Sequence, residues 1–82
     1  MIKVKARVYV TFKPSVLDPQ GQTIRAALNG LGHKGIEDVR QGKYFELDLK
    51  ATDAAQAQAL AAEVADKLLA NPVIESYRVE VD

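Results

Sequence analysis

Strands alternating with helices, an α+β fold, is what this 82-residue sequence predicts. Apolar residues recur with period two in three segments and with period 3.6 in the two stretches between them, and capping or breaking residues mark the helix ends. In the first segment Ile2, Val4, Ala6, Val8, Val10 and Phe12 share one parity, while Lys3, Lys5, Arg7, Tyr9, Thr11 and Lys13 share the other, the signature of a half-buried strand. Pro14 lacks a backbone donor, so Lys13 to Leu17 loops toward the next element. There Asp18 offers a carboxylate to the unpaired N–H groups of a first helical turn, and Pro19 suits the first helical position. Ile24, Ala27, Leu28 and Leu31 follow at i, i+3, i+4 and i+7, a stripe facing a core, and Gly32 supplies the left-handed residue that ends a helix of about four turns.

Period two returns with Phe45, Leu47 and Leu49 inward and Tyr44, Glu46, Asp48 and Lys50 outward. Ile36 to Arg40 is shorter and more polar, and Gln41-Gly42 reads as a tight connection, so the prediction is a hairpin whose first strand lies at a sheet edge. Asp53 and Gln56 match a capping box for a second, alanine-rich helix running to Ala70, with Leu60, Val64 and Leu68 stacked toward the core. Asn71 and Pro72 stop it, and Tyr77, Val79 and Val81 alternate with Arg78, Glu80 and Asp82 as the last strand, Tyr77 belonging to the core. Closed by two right-handed crossovers, this order makes a ferredoxin-like βαββαβ two-layer sandwich: a four-stranded antiparallel sheet, order 4-1-3-2, with both helices on one face. The uncovered face then carries Lys3, Lys5 and Arg7 between Glu46 and Asp48 on one side and Glu80 and Asp82 on the other, with Tyr9 and Tyr44 making it a protein-contact surface.

The length suits one domain, residues 1–82, and such a chain buries only about 60% to 65% of its unfolded surface, so partners would supplement a thin core. Eleven basic and eleven acidic residues leave no field to collect nucleic acid or anionic lipid. No cysteine is present, which removes disulfides, thiolate metal sites and a cysteine nucleophile and fits a reducing compartment. Alternation of Lys and Arg with apolar residues from Met1 to Val10 is unlike a signal peptide, and no apolar run approaches the roughly 20 residues of a membrane span. The expectation is a soluble, cytoplasmic protein without membrane or nucleic-acid partners.

Encoded chemistry is sparse. His33 is the only histidine and follows a helix-ending glycine, a solvated loop position. Scattered carboxylates such as Glu37 and Asp38 have no metal-ligand spacing, and Gly30, Gly32 and Gly35 follow a helix C-terminus where a phosphate loop should precede an N-terminus. At Asp18 to Gly21 an acidic cap repels an anion. Lys43-Tyr44-Phe45 only superficially resembles a base-stacking patch, because Phe45 points inward. No catalytic or metal residue is assigned.

Three strings carry more information than these sites: Val16-Leu17-Asp18-Pro19-Gln20-Gly21, Val39-Arg40-Gln41-Gly42-Lys43, and Leu68-Leu69-Ala70-Asn71-Pro72-Val73-Ile74-Glu75 with Tyr77. In order and spacing, and over nearly the whole chain, they resemble the PurS family, the small subunit of phosphoribosylformylglycinamidine synthase. One departure is Ala65, where many family members carry a cysteine to which no chemistry is assigned. The resemblance implies a non-catalytic subunit of purine biosynthesis, bridging a glutaminase that releases ammonia and a large synthetase that uses ATP and Mg and adds the ammonia to formylglycinamide ribonucleotide. It also implies a homodimer or higher homo-oligomer, with no cofactor on this chain. Partner-contact candidates are Arg40 and Lys43 at the hairpin tip, Asp18, Gln20 and Gly21, and Asn71 and Glu75. Each has a structural alternative: the Asp18 group starts a helix, Asn71 stops one, the basic pair can be solvated charge, and Glu75 can pair with either basic residue. The competing functions are a ferredoxin-like regulatory module binding a small molecule and an RNA-binding module using the open sheet.

Overall fold

The computed structural model describes all 82 residues. Its elements are β1 (Ile2–Phe12), α1 (Pro19–Gly30), β2 (Gly42–Ala51), α2 (Ala54–Val64), a π-helical turn at Ala65–Leu69, and β3 (Glu75–Val81). β1 is the centre of a three-stranded antiparallel sheet of order β2-β1-β3. Val8 lies opposite Phe45 on one side and Val79 on the other, so the three period-two rows share one face, as their alternation requires.

The sheet has three strands where four were expected. Ile36 to Arg40 forms no strand, and Gln41-Gly42 is no hairpin turn. Side chains take the backbone groups a ladder would use: the Val39 N–H donates to its own neighbour's Asp38 carboxylate (2.9 Å) and the Gln41 N–H to Asp18 Oδ2 (2.6 Å). The segment is thereby held against the loop after β1. The remaining strands keep the neighbours expected of them.

The helices depart from the sandwich too. Only α2 packs on the sheet; α1 packs along neither the sheet nor α2. Both helices start as their sequences require, the Asp18 carboxylate accepting from the Gly21 N–H (2.9 Å) and the Asp53 carboxylate from the Gln56 N–H (2.8 Å). Gln56 reaches back to the Thr52 N–H, one residue earlier than a capping box has it. At its C-terminus α1 closes in a Schellman arrangement, His33 N to Leu28 O and Gly32 N to Asn29 O, with Gly32 at φ 95°.

α2 meets the sheet through a different row from the one expected. Ala57, Ala61 and Ala65 are fully buried, whereas Leu60 is 39% and Leu68 80% exposed. Alanine lets the helix approach the sheet closely, and the leucine row, three residues further along the helix, is turned to its flank. The π turn then ends α2 with the Ala70 N–H bonded to the Ala65 carbonyl, so Ala65 to Leu69 is wider than the α-helix expected to run to Ala70. Tyr77, opposite Val10 on the inward face, is 37% exposed and belongs to the rim of the core.

The resulting core is small. Val8, Val10, Ala65 and Ala70 form one cluster and Val4, Ala51 and Ala57 a second, flanked by half-buried Phe45, Leu47, Leu49, Leu69, Val79 and Val81. Eleven of 82 residues are buried. A compact chain of this length has a radius of gyration of about 12 Å; this one reaches 16.2 Å and extends 52 × 25 × 14 Å. Residues 14–41 form an arm, with α1 at its centre, projecting from a body of sheet and α2. No helix is long and apolar enough to cross a membrane.

Candidate functional site

The residues singled out in the sequence fall into two clusters near one end of the sheet, where Phe12 pairs with Glu75 and Thr11 with Gly42. The first joins the two roots of the arm. Asp18, 2% exposed, accepts from the Gly21 N–H with Oδ1 and from the Gln41 N–H with Oδ2. The backbone hydrogen bonds from Gln41 and Gly21 hold the Asp18 carboxyl below the ordinary aspartate range. Arg40 donates to the carbonyls of Lys13 (3.1 Å) and Val16 (2.9 Å), and the Gln41 side chain donates to Gln20 Oε1. Gly21 is needed because a methyl there would run into the Val39 carbonyl oxygen. Asp18 and Gly21 are thus consumed inside the chain, while Gln20 and Arg40 keep exposed surface.

The second cluster closes the turn between α2 and β3. Glu75 accepts from the Asn71 N–H (2.7 Å) and faces Lys43 Nζ (3.5 Å), and Lys43 also approaches the Leu69 carbonyl at the last π-helical residue (3.4 Å). Of the two basic residues open to Glu75, Lys43 is its partner. Asn71 accepts the Val73 N–H with its side chain and the Ile74 and Glu75 N–H groups with its carbonyl. A backbone bond from Lys13 N to Ile74 O (2.9 Å) ties this turn to the loop leading into the arm.

The open sheet face sets opposite charges on neighbouring strands at Lys5 and Arg7, whereas Lys3 lies opposite Lys50. Arg7 reaches Asp82 (2.8 Å) and Glu80 (3.6 Å), Lys5 faces Glu46 (3.5 Å), and Tyr9 donates to Glu80 (2.9 Å). Tyr9 packs against Tyr44 with ring centroids 5.1 Å apart and ring planes tilted by 42°, and the Arg78 guanidinium lies 4.2 Å from the centroid of the Tyr9 ring. Hydrogen bonds from Tyr9 and Arg78 lower the Glu80 pKa, and the same bond to Glu80 raises that of Tyr9. Both tyrosines and the neighbouring charges are engaged with one another, so base stacking here would have to displace Arg78. A shallow groove lies beyond the end of β3, lined by Lys3, Lys5, Asp48, Leu49, Lys50 and Asp82 among others.

No three His, Asp or Glu side chains converge as a metal-binding group, and His33 lies in the exposed turn after α1. What the sequence did not reveal is an uncovered apolar surface. On α1, Ile24 is 39% exposed and Leu31 beyond its end 76%; Leu60 of α2 and Leu68 of the π turn are open; Phe45, Leu47 and Leu49 of β2 are only half buried. The chain exposes 5,684 Å², against about 4,900 Å² for a compact monomer of its size. The excess follows from the extended shape, with α1 standing away from the body. The signal available in the sequence was the abundance of alanine, which leaves larger side chains to other surfaces.

Comparison with known proteins gives these features a family. Residues 5–82 match the sequence model of PurS, phosphoribosylformylglycinamidine (FGAM) synthase. The PurS subunit of phosphoribosylformylglycinamidine synthase from Bacillus subtilis is 47% identical over 78 residues, 95% of this chain and 92% of that protein. Its counterpart from Mycobacterium leprae is 48% identical over 75 residues, 92% of this chain and 91% of the relative. Among solved structures, B. subtilis PurS superposes with a TM-score of 0.87 at 47% identity, covering 96% of this chain and 98% of that one. A chain of PurLQS from Thermotoga maritima superposes at 0.91 and 29% identity over the full length of both. With the family model matched over residues 5–82 and relatives nearly half identical along almost their whole length, this chain belongs to the PurS family.

Proposed function

We propose that this chain is the small, non-catalytic subunit of phosphoribosylformylglycinamidine synthase in cytoplasmic purine biosynthesis. It bridges the glutaminase subunit and the large synthetase subunit, which uses ATP and Mg, so that ammonia from glutamine reaches formylglycinamide ribonucleotide. The observation that carries this reading is the full-length superposition on a chain of PurLQS, at a TM-score of 0.91. The contribution of this chain is geometric: docking that keeps water from the ammonia route adds to the rate without a reacting group on the subunit. The exposed side chains of Gln20, Arg40, Lys43 and Asn71, beside the two clusters, are the partner contacts in this reading, with Asp18, Gly21 and Glu75 holding them in place.

The chain works as a homo-oligomer. Support comes from the open α1 row and the half-covered β2 row, apolar surfaces that a second copy would cover. In a ferredoxin-like sandwich the first helix of a chain lies on its own sheet; here α1 from a second copy takes that place. A helix of 12 residues is marginal in water by itself, so its cover stabilises the helix as well as the sheet. Size-exclusion chromatography with light scattering tests both parts. The chain alone is expected to elute as a dimer or larger, and with its glutaminase and synthetase as part of one complex containing all three. A monomer alone, or a glutaminase–synthetase complex from which this chain is absent, contradicts the reading.

A further inference from the structure

We infer that Asp18, through its second carboxylate oxygen on the Gln41 N–H, is a positioning residue that sets the direction in which α1 leaves the sheet, and that self-association depends on this direction. The inference rests on the reading that α1 is covered by a second copy. The arm has two roots, the loop after β1 and the segment leading into β2, and nothing packs along α1 beyond them. The roots are joined by Asp18 to Gln41 (2.6 Å), by Arg40 to the Lys13 and Val16 carbonyls (3.1 and 2.9 Å), and by the Gln41 and Gln20 side chains. Two of these reach the helix, the exposed Gln20 side chain within α1 and Asp18 at its cap; Asp18 alone is buried and binds backbone on both sides, its other oxygen capping the first turn at Gly21 (2.9 Å). One buried carboxylate therefore links the orientation of α1 to the residue that leads into β2. With α1 spanning 12 residues, about 18 Å, a change of 20° at this root moves the far end by about 6 Å, more than the depth of a side-chain contact.

The two functions of Asp18 separate by substitution. Asp18→Ser keeps a good N-cap for Gly21 but is too short to reach Gln41; Asp18→Asn keeps an oxygen on Gly21 and turns an N–H₂ group toward the Gln41 N–H, donor against donor. Asp53→Asn, at the start of α2, is the matched control, since the Asp53 carboxylate accepts only from the Gln56 N–H. Two quantities are measured: the dissociation constant for self-association by sedimentation equilibrium, and the distance distribution between spin labels at Asn29 on α1 and Ser76 on β3 of one chain, diluted with unlabelled chain. Asp18→Ser and Asp18→Asn are expected to broaden or shift the distribution and to raise the dissociation constant at least tenfold, with helix content by circular dichroism kept in Asp18→Ser; Asp53→Asn changes neither. If either Asp18 variant fails to fold, Arg40→Ala, which removes an exposed side chain from the same root, is expected to raise the constant in the same direction. A narrow, unshifted distribution, or unchanged association in the folded Asp18 variants, overturns the inference. Ile24→Asp distinguishes the two levels: if it leaves self-association intact, α1 is not the covered surface and the underlying reading falls, whereas if it abolishes association while the Asp18 variants do not, only the role of Asp18 falls.

Discussion

A single carboxylate with both oxygens occupied by backbone N–H groups behaves differently from a solvated one, and Asp18 is that case. Its pKa is lowered by the hydrogen bonds from Gln41 and Gly21, so its contribution to stability is present above the unfolded value of about 4 and is lost as the pH falls through the folded one. Thermal unfolding followed from neutral into acid solution should show a fall in midpoint starting near pH 4, and a flatter acid limb in Asp18→Ser. Tyr9 has the opposite sign: its pKa is raised by Glu80, so its bond contributes below about pH 10 and is lost as the pH rises through the folded value. Gly21→Ala places a methyl against the Val39 carbonyl and should cost about 1 to 3 kcal/mol in urea unfolding at fixed protein concentration. Val8→Ala, emptying a fully buried position at the centre of the sheet, should cost about 2 kcal/mol by the same measurement. At this scale the sequence showed half of each site residue's environment. Asp18 was legible as a cap because its partner is three residues away, but its bond to Gln41 spans 23 residues and leaves no local pattern. Lys43 and Glu75 were legible as a possible pair by charge alone; the turn that brings them together was not.

Among the elements, strands were the easiest to read, since period two over eleven residues in β1 fits no helix and fixes which face is buried. Ile36 to Arg40 is too short for that security, and hydrogen bonds to Asp38 and Asp18 outcompete a ladder. The buried face of α2 was ambiguous for another reason. Ala57, Ala61 and Ala65 and the row Leu60, Val64 and Leu68 have the same i, i+4, i+8 spacing, and hydrophobicity favours the larger residues. Close approach of backbone to sheet favours the smaller ones, and the smaller ones are buried. Ala61→Leu should therefore push α2 off the sheet at a cost of about 1 to 3 kcal/mol, read by chemical denaturation. Leu68→Ala, at 80% exposure, should shift the chain's own stability by less than about 0.5 kcal/mol when measured at a concentration where association is held fixed.

For the whole molecule, the decisive contrast is between a sheet that is well paired and a surface that is poorly covered. No buried side-chain polar atom lacks a partner, yet only eleven residues are buried and α1 stands free of the body. The sequence could not show this, because the same amphipathic α1 stripe fits its own sheet or that of another copy, and only the loops at either end decide which. Under the proposed self-association, thermal stability depends on concentration, and the unfolding midpoint should rise with total protein. The same property suits a subunit whose service is to hold others. The most direct test is glutamine-dependent formation of formylglycinamidine ribonucleotide by the purified glutaminase and synthetase subunits with this chain added or left out. Glutamine-supported synthesis should appear only with the chain present, while synthesis from added ammonium salt proceeds without it; equal glutamine-supported rates in both mixtures would contradict the bridging role.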